Sequence, residues 1–113
     1  EGGEEAFGKT LKKERLGYNL DVTLLGIHDD NPYFDAKVEN GKNKIIISTA
    51  VAQKYNVGEG DVFVLNDEET DTKYAFDIVG IAQYSSSLYI FMDIDSMREL
   101  FHEGSDYYNI VFW

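Results

Sequence analysis

The stretch that decides the fold is IIISTAVAQKYNVGEGDVFVL, residues 45–65, together with YAFDIVGI, residues 74–81. Its β-branched opening predicts a strand. The hydroxyl of Ser48 or Thr49 can then accept a hydrogen bond from an unpaired backbone N–H group, which predicts a short helix, and Asn56 and Gly58 are expected to end it. Gly60-Asp61 marks a turn before the next strand. The stretch therefore predicts a strand, a helix, a turn and two further strands, which is a scaffold rather than a catalytic motif.

Further elements are predicted on both sides of this stretch. Additional strands are expected at residues 21–27, 34–39, 88–92 and 109–113. Residues 88–92 are apolar at every position, which predicts burial on both faces of a sheet. A second helix is expected to begin at the capping box of Ser96 and Glu99 and to end at Gly104. Gly80 interrupts a strand pattern and predicts a bulge or a close backbone approach.

The order of these elements predicts the fold class. Short connections favour antiparallel pairing, and two small helices cannot cover both faces of an extended parallel sheet. The predicted fold is α+β: a small, curled, mixed and mostly antiparallel sheet or partial barrel with two short helices.

The 113 residues are predicted to form one domain preceded by a short segment. Residues 1–16 are polar, and their sizeable apolar side chains are Phe7, Leu11 and Leu16. We expect this segment to be a loosely held lead-in with one or two helical turns at most. Residues 17–113 are predicted to fold as a single α+β domain with a buried core.

The charge of the chain is strongly negative and unevenly distributed. The formal net charge is -11, and residues 1–16 contain four Lys or Arg and four Glu, so the whole excess lies in residues 17–113. A surface of this sign repels phosphate backbones and anionic lipid headgroups. We therefore expect no nucleic-acid partner.

Two absences from the sequence narrow the function classes further. The chain has no cysteine, which removes disulfides, thiolate nucleophiles and cysteine-based zinc sites. No apolar run approaches the roughly 20 residues of a membrane span, and the N-terminus lacks the apolar stretch of a signal peptide. If the chain is part of a membrane protein, we expect its anchors to lie outside these residues, as the apolar aromatic strand at its C-terminal end suggests.

His28 and His102 are the two imidazoles of the chain, and each lies among carboxylates. His28 precedes Asp29 and Asp30, and His102 precedes Glu103. Two histidines and a carboxylate can bind a transition metal. Because the two histidines lie in different turns and show no ligand spacing, solvated loop residues explain them better. We predict no metal site and no cofactor.

The acidic turn at residues 66–72 is a second candidate cation site. Calcium prefers several carboxylate oxygens, and this turn supplies Asp67, Glu68, Glu69 and Asp71. The segment lacks the alternating acidic positions, central glycine and terminal glutamate of an EF-hand loop. A solvated hairpin tip is therefore the favoured interpretation.

Three other motifs have structural explanations that are simpler than chemical ones. The serines at residues 85–87 lack the Gly-x-Ser-x-Gly context of a catalytic nucleophile, so they predict a loop. Gly58 and Gly60 are too close together for a dinucleotide-binding motif and predict a turn. Asp93 and Asp95 are expected to complement the N-terminal dipole of the second helix. We predict no catalytic residue.

The aromatic side chains of the C-terminal part are the one candidate binding surface. Interfaces are enriched in tyrosine and tryptophan, and a core this small does not need all of Tyr84, Tyr89, Tyr107, Tyr108 and Trp113. Packing in the core or against a neighbouring segment explains such residues more often. This is still the only place where we predict an interaction surface.

The order and spacing of elements in residues 22–113 resemble the extracytoplasmic domain of FtsX-like and MacB-like ABC transporter permeases, the MacB-like periplasmic core domain. Its recurring pattern is an apolar strand, a Ser/Thr-led helix with an alanine and a basic residue, a Gly-Asp or Gly-Gln turn, an apolar strand, and a strand closing on Val-x-Gly-Ile. The matching positions here are residues 45–47, residues 48–55 with Ala52 and Lys54, Gly60-Asp61, residues 62–65 and residues 78–81. VTLLGIHDDNPYFD at residues 22–35 and LYIFM at residues 88–92 extend the likeness.

The resemblance implies a function without local catalysis. In that family the domain lies on the outer side of the cell membrane, between the first two transmembrane helices. It is a non-catalytic interaction module that transmits movement, while a separate cytoplasmic ATP-binding subunit supplies energy. The implied partners are that subunit, through the transmembrane part, and an exported substrate or accessory protein. Membrane contact is implied only through the transmembrane helices.

Two hypotheses from other classes stay open. A small barrel-like hydrolytic enzyme domain would use the acidic loops and His28, and it would need carboxylates and imidazole to converge in one pocket. A free-standing extracellular binding protein would have no membrane span encoded in its parent gene.

Overall fold

The computed structural model describes residues 4–15, 18–28, 38–84 and 88–112. The described residues form seven strands and two helices. In chain order these are β1 (Glu4–Arg15), β2 (Tyr18–Ile27), β3 (Lys44–Ser48), α1 (Thr49–Tyr55), β4 (Val62–Asp67), β5 (Thr72–Ala82), β6 (Tyr89–Asp93), α2 (Ile94–Leu100) and β7 (Ile110–Phe112). The strand predicted at residues 34–39 falls mostly outside the described ranges, and its described end, Val38 and Glu39, has no regular structure.

Six of the described strands form a closed barrel. Their order is β2-β6-β3-β5-β4-β1, and because β1 pairs with β2 as well as with β4, the six strands form a ring; β7 adds to β1. Among the described strands, five pairings are antiparallel, and the pairings β2–β6 and β3–β5 are parallel. The predicted α+β fold with a curled, mostly antiparallel sheet and two short helices is confirmed, and the ring is closed rather than partial.

The first strand corrects the prediction for the N-terminal segment. β1 pairs with β2 over nine positions, from Phe7↔Gly26 to Arg15↔Tyr18. Phe7 and Leu11 are buried in the barrel interior. The loosely held lead-in with helical turns is therefore wrong as a description of residues 4–15, whereas the domain limits themselves stay a prediction.

The sequence did not indicate a strand here because of the side chains that face inward from β1. One face of the strand alternates apolar and basic residues: Phe7, Lys9, Leu11 and Lys13. The Lys9 ammonium lies 5.1 Å from the ring centre of Phe101, and the Lys13 ammonium lies 4.6 Å from that of Phe63. A lysine can pack its aliphatic stem on apolar surface while its ammonium binds an aromatic face. The charges therefore hide a period-two pattern that is present in the sequence.

The barrel interior is the main core. Each of the six barrel strands contributes two buried apolar side chains, and Val51, Ile94 and Met97 add to them from the helices. The strand residues are Phe7, Leu11, Val22, Leu24, Ile45, Ile47, Phe63, Leu65, Phe76, Ile78, Ile90 and Met92. Because both helices pack on the same core as the strands, the whole wall is held by one close-packed interior.

A second buried cluster lies on the opposite, outer face of the barrel wall. Its members include Leu25, Ile46 and Phe91, which alternate with interior residues along β2, β3 and β6. In β6 the consecutive residues Ile90, Phe91 and Met92 are all buried. The predicted burial of this strand on both faces is therefore confirmed.

The first helix has the ends that its sequence predicts. The Ser48 Oγ accepts a hydrogen bond from the Val51 N–H at 3.3 Å, which satisfies one of the unpaired donors of the first turn. Asn56 ends the helix in the left-handed conformation, with φ of 54°. Both the Ser48 cap and the end at Asn56 are confirmed.

The second helix has different ends from those predicted. The Asp93 carboxylate accepts hydrogen bonds from the N–H of Ser96 at 3.0 Å and from its hydroxyl at 2.9 Å, so Asp93 is the N-cap and the helix starts at Ile94. The predicted cap at Ser96 is wrong, because an equally good cap lies three residues earlier. The predicted stop at Gly104 is also wrong: His102, with φ of 60°, occupies the left-handed position that follows the last turn.

The parallel pairing of β3 with β5 contains one irregularity. Ile45 pairs with Ile78, but Ile46 pairs with Gly80, so Val79 is an extra residue in β5. The bulge predicted at Gly80 is confirmed.

Candidate functional site

Two of the predicted surface tyrosines lie together on the outer face of the barrel wall. The ring centres of Tyr84 and Tyr89 are 5.7 Å and 6.1 Å from that of Phe91. Phe91 is fully buried, and both tyrosines are half-buried. Because both pack on one residue of β6, which lies between β2 and β3, the sheet itself positions this pair.

Two further tyrosines of the predicted surface, Tyr107 and Tyr108, lie in the loop between α2 and β7. Arg98 is only 5% exposed, and its guanidinium organises this loop. Its Nε donates to the carbonyl of Tyr107 at 2.7 Å, and its Nη1 donates to the carbonyl of Ser105 at 2.8 Å and to the carboxylate of Asp95 at 2.9 Å. Such a forked, charge-assisted set of bonds fixes direction as well as distance. Tyr108, the next residue, is 44% exposed.

The described members of the predicted aromatic set lie in three different surroundings. The Tyr107 ring is partly buried and packs edge-on against Phe7 of the interior core, with 4.9 Å between ring centres. Tyr84 and Tyr89 belong to the outer cluster. Trp113 lies outside the described residues. The described arrangement is therefore an outer tyrosine pair, a partly buried Tyr107 packed against the core and an exposed Tyr108, and the binding role of the set stays a prediction.

A groove of about 540 Å³ runs beside α2 and is lined by Asn40, Asp95, Ser96, Arg98, Glu99, Glu103 and Ser105. The Ser96 hydroxyl accepts from the Gly41 N–H at 2.8 Å and donates to Asp93 at 2.9 Å, so its hydrogen bonds are used within the fold. Glu99 and Glu103 make the rim acidic. This arrangement suits a basic or polar neighbour.

The predicted histidine and serine candidates lie at separate elements. His28 directly follows β2 and is half-buried, and His102 is exposed after α2. Within residues 4–15, 18–28, 38–84 and 88–112, no group of three His, Asp or Glu side chains is placed to hold a metal ion. The serines at residues 85–87 lie outside those ranges. Gly60 has φ of 95° and lies in the predicted turn.

The acidic turn joins β4 to β5, as predicted for a hairpin tip. Asp67 at its start is only 3% exposed, and its carboxylate accepts from the Glu69 N–H at 3.1 Å. The same carboxylate lies 3.4 Å from the ammonium of Lys9, which is also 3.7 Å from Glu69. The hairpin tip is confirmed, but Asp67 is a buried ionic partner of β1 rather than a solvated residue.

One group of residues that the sequence analysis missed lies where the barrel closes. β1 and β4 pair at one position, Lys12↔Asn66, and a cavity of about 120 Å³ lies beside this junction. We call the junction and its lining residues the seam; they are Lys12, Lys13, Val64, Leu65, Asn66 and Lys73. Recognition of β1 as a strand would have placed its adjacent lysines on opposite faces of the wall. The pairing of β1 with β4 has no local signal.

The two adjacent lysines of the seam have different surroundings. The Lys13 ammonium donates to the Val64 carbonyl at 3.2 Å, and burial lowers the pKa of Lys13 below 10.5. A hydrogen bond to the Asp21 carboxylate raises the pKa of Lys12 above the same value. One ammonium is therefore turned into the barrel wall, and the other is paired outside it.

Neither helix of the described residues is suited to crossing a membrane. α1 and α2 have seven residues each, and none of the described helices is long and apolar enough to be a span.

The fold is similar to that of a solved structure, the crystal structure of the extracellular domain of the noncanonic ABC-type transporter YknZ from Gram-positive bacteria. The TM-score is 0.63 at 16% sequence identity, and the likeness covers 88% of this chain and 58% of that chain. At this identity the likeness is one of fold. The chain spans somewhat more than half the length of the YknZ domain. No family model matches the chain, and no curated protein matches it.

Proposed function

We propose that this chain is the extracytoplasmic domain of an ABC transporter permease of the FtsX-like or MacB-like kind. The observation that carries the proposal is the closed mixed barrel, which is similar to the YknZ extracellular domain over 88% of this chain. The element pattern of residues 45–81 independently resembles the same class of permeases. In this proposal the domain lies at the outer side of the cell membrane and is anchored by transmembrane helices outside these 113 residues.

The proposed role is interaction and transmission of movement, without catalysis and without a cofactor. A separate cytoplasmic ATP-binding subunit would supply the energy, and the domain would engage an exported substrate or an accessory protein. Two features of the barrel support this role: its six strands close into a ring, and the part of its wall formed by β2, β3 and β6 is packed on both faces. A body of this kind moves as a unit because close-packed interiors transmit strain.

The proposed contact surface is the aromatic set Tyr84, Tyr89, Tyr107, Tyr108 and Trp113. Tyr108 is its most exposed described member, and the loop that carries it is fixed by Arg98. A rigid, exposed tyrosine provides a large contact area with little loss of side-chain entropy. We therefore expect Tyr108 to make the most direct contact.

Cysteine labelling of the full-length gene product tests the proposed location, because these residues contain no native thiol. Glu69→Cys places a thiol on a side chain that is 86% exposed, and Met92→Cys places one at a fully buried position as the matched control. A membrane-impermeant maleimide should label the first in intact cells and the second only after denaturation. Labelling of Glu69→Cys that requires cell lysis would contradict the proposal, and recovery of the product from the medium would favour a free-standing binding protein.

Crosslinking tests the proposed contact surface. A photoreactive phenylalanine analogue at Tyr108, in the full-length protein, should crosslink to a second protein on the outer side of the membrane. The same analogue at Gln53, which is exposed on α1, serves as the control. Crosslinking of equal yield at both positions would argue against a specific surface at Tyr108.

A further inference from the structure

We propose that the seam is a binding site for a compact oxyanion that carries a hydrogen-bond donor beside its charge. Hydrogen phosphate has this chemistry, and so does the last residue of a peptide, with its carboxylate and its amide N–H. The inference concerns the barrel wall alone and does not depend on the transport function proposed above.

Four residues of the seam region stand in one row across neighbouring strands. Asp21 on β2 pairs with Lys12 on β1, Lys12 pairs with Asn66 on β4, and Asn66 pairs with Lys73 on β5. Directly opposite residues on antiparallel strands share a face and have Cβ atoms about 5 Å apart. Lys12 and Lys73 therefore flank Asn66 on both sides, and all three line the same cavity.

The wall of this cavity is positive in a chain of net charge -11. Its described lining contains three lysines and no carboxylate. Lys12 is paired with Asp21, and Glu68 also acts on it. Neither Lys13 nor Lys73 has an ion pair among the described residues. The seam thus holds positive charge that its own side chains leave without a counter-charge.

Lys13 contributes a donor that the fold uses only in part. Its ammonium donates to the Val64 carbonyl and lies over the Phe63 ring, and it is partly withdrawn from solvent. An ammonium has three N–H donors, and a partly buried charge without an opposite charge is unfavourable. An anion in the adjacent cavity would remove this penalty.

Asn66 specifies the chemistry of the ligand more closely. Its Oδ1 is buried and accepts no hydrogen bond from the described residues. A buried acceptor without a donor is unfavourable, and this one lies between two lysines. A ligand that satisfies the whole site must therefore offer a donor to Asn66 and negative charge to the lysines. Sulfate and acetate offer the charge at neutral pH without the donor.

The size of the cavity restricts the ligand to a small group. Its volume of about 120 Å³ equals roughly four water molecules in the liquid. A phosphate group or the carboxyl end of a chain fits this space, whereas a nucleotide or a folded segment does not.

Nuclear magnetic resonance titration of the 113-residue chain tests the proposal. The probes are sodium phosphate and N-acetylglycine, with sulfate and acetate as donor-free controls, all at one ionic strength because surface charges respond to salt. We expect saturable shifts of the Val64, Leu65 and Asn66 amides with phosphate, with N-acetylglycine or with both. Saturation by one probe but not the other identifies the source of the anion, and affinity for sulfate and acetate should be weaker by about tenfold, the value of one net hydrogen bond.

Variants distinguish a specific binding site from general electrostatic attraction of anions. Lys73→Gln should weaken binding by about tenfold, since a charge-assisted hydrogen bond is lost. Lys42→Gln makes the same charge change at an exposed lysine outside the cavity and should leave binding unchanged. Asn66→Ala should abolish the preference for donor-bearing anions. Absence of saturation with both probes, equal weakening by Lys42→Gln, or equal response to all four anions would overturn the proposal.

Discussion

The two edges of β1 are held in different ways. Over residues 7–15, β1 forms a nine-position antiparallel ladder with β2 along one edge and meets β4 at a single position along the other. Its first residues, 4–6, pair with β7. At that second edge side chains take the place of the ladder, as Lys13 does when it donates to the Val64 carbonyl. The comparison shows that backbone pairing sets the register of this barrel, while side chains complete its closure.

The largest expected effect is that of Phe7→Ala, which tests how firmly β1 is anchored in the barrel. Phe7→Ala removes a ring that is 4% exposed and packs against Tyr107 and Phe101 at 4.9 Å and 6.0 Å between ring centres. It should lower the free energy of unfolding by about 3–5 kcal/mol, because it removes buried area and leaves a cavity. Urea unfolding measures this value. Glu5→Ala, at an exposed position of the same strand, should change it by less than about 0.5 kcal/mol.

A loss below about 1 kcal/mol for Phe7→Ala would mean that β1 is held weakly along both edges. The difference between the two edges would then have little effect on stability.

Gly26→Ala tests the packing of β2, the strand that pairs with β1 over nine positions. A Cβ at Gly26 would lie 2.8 Å from the sulfur of Met97 and 3.2 Å from the Cα of Ile94, so α2 approaches β2 too closely for a side chain. We expect a loss of about 1–3 kcal/mol from overpacking, measured by urea unfolding. Gly58→Ala adds the same methyl group where nothing lies within 4 Å. A similar loss in both variants would assign the effect to the backbone rather than to the contact with α2.

The part of the fold that local chemistry determines could be predicted from the sequence. Ser48 caps α1, Gly60 turns the chain and β6 is buried on both faces, because each signal involves neighbouring residues. The long strand β1 was missed because Lys9 and Lys13 interrupt its apolar face. Closure of the ring depends on a contact between residues 12 and 66, and no periodicity encodes such a distant pairing.

The candidate site shows the same division between local and distant information. Tyr107 and Tyr108 are adjacent and of one residue type, yet the first is partly buried against the core and the second is exposed. Arg98 helps to set their orientation by binding the carbonyl of Tyr107, and this contact requires the folded loop. Composition therefore identified the tyrosines as candidates without showing which of them face outward.

Asn109→Ala tests how much β1 is stabilised by a side chain that replaces backbone pairing. The Asn109 amide accepts from the Gly8 N–H at 2.7 Å and donates to the Gly8 carbonyl at 2.9 Å, which imitates a strand pair next to β7. Its loss should lower stability by about 1–2 kcal/mol. It should also speed hydrogen exchange of the Gly8 amide. Gln53→Ala on α1 is the control, and unchanged exchange at Gly8 in Asn109→Ala would show that these bonds do not protect the strand.

The smallest expected effect compares two adjacent lysines of β1 through the pH dependence of stability. The folded pKa of Lys13 is lowered by burial, so between that pKa and 10.5 the unfolded chain binds more protons and stability rises with pH. The folded pKa of Lys12 is raised, chiefly by its hydrogen bond to Asp21. Its contribution is therefore fully present below 10.5 and is lost as pH rises through the raised pKa.

Replacing each lysine by methionine separates these opposite contributions. Lys13→Met should remove part of the rise in stability just below pH 10.5, an effect below about 1 kcal/mol because the ammonium is partly solvated. Lys12→Met should remove part of the fall above 10.5. Urea unfolding over this range measures both, with Lys42→Met as the exposed control. If the profile of Lys13→Met matched that of the unaltered chain, the Lys13 ammonium would be as solvated as an ordinary surface lysine, and side chains would not close the second edge of β1.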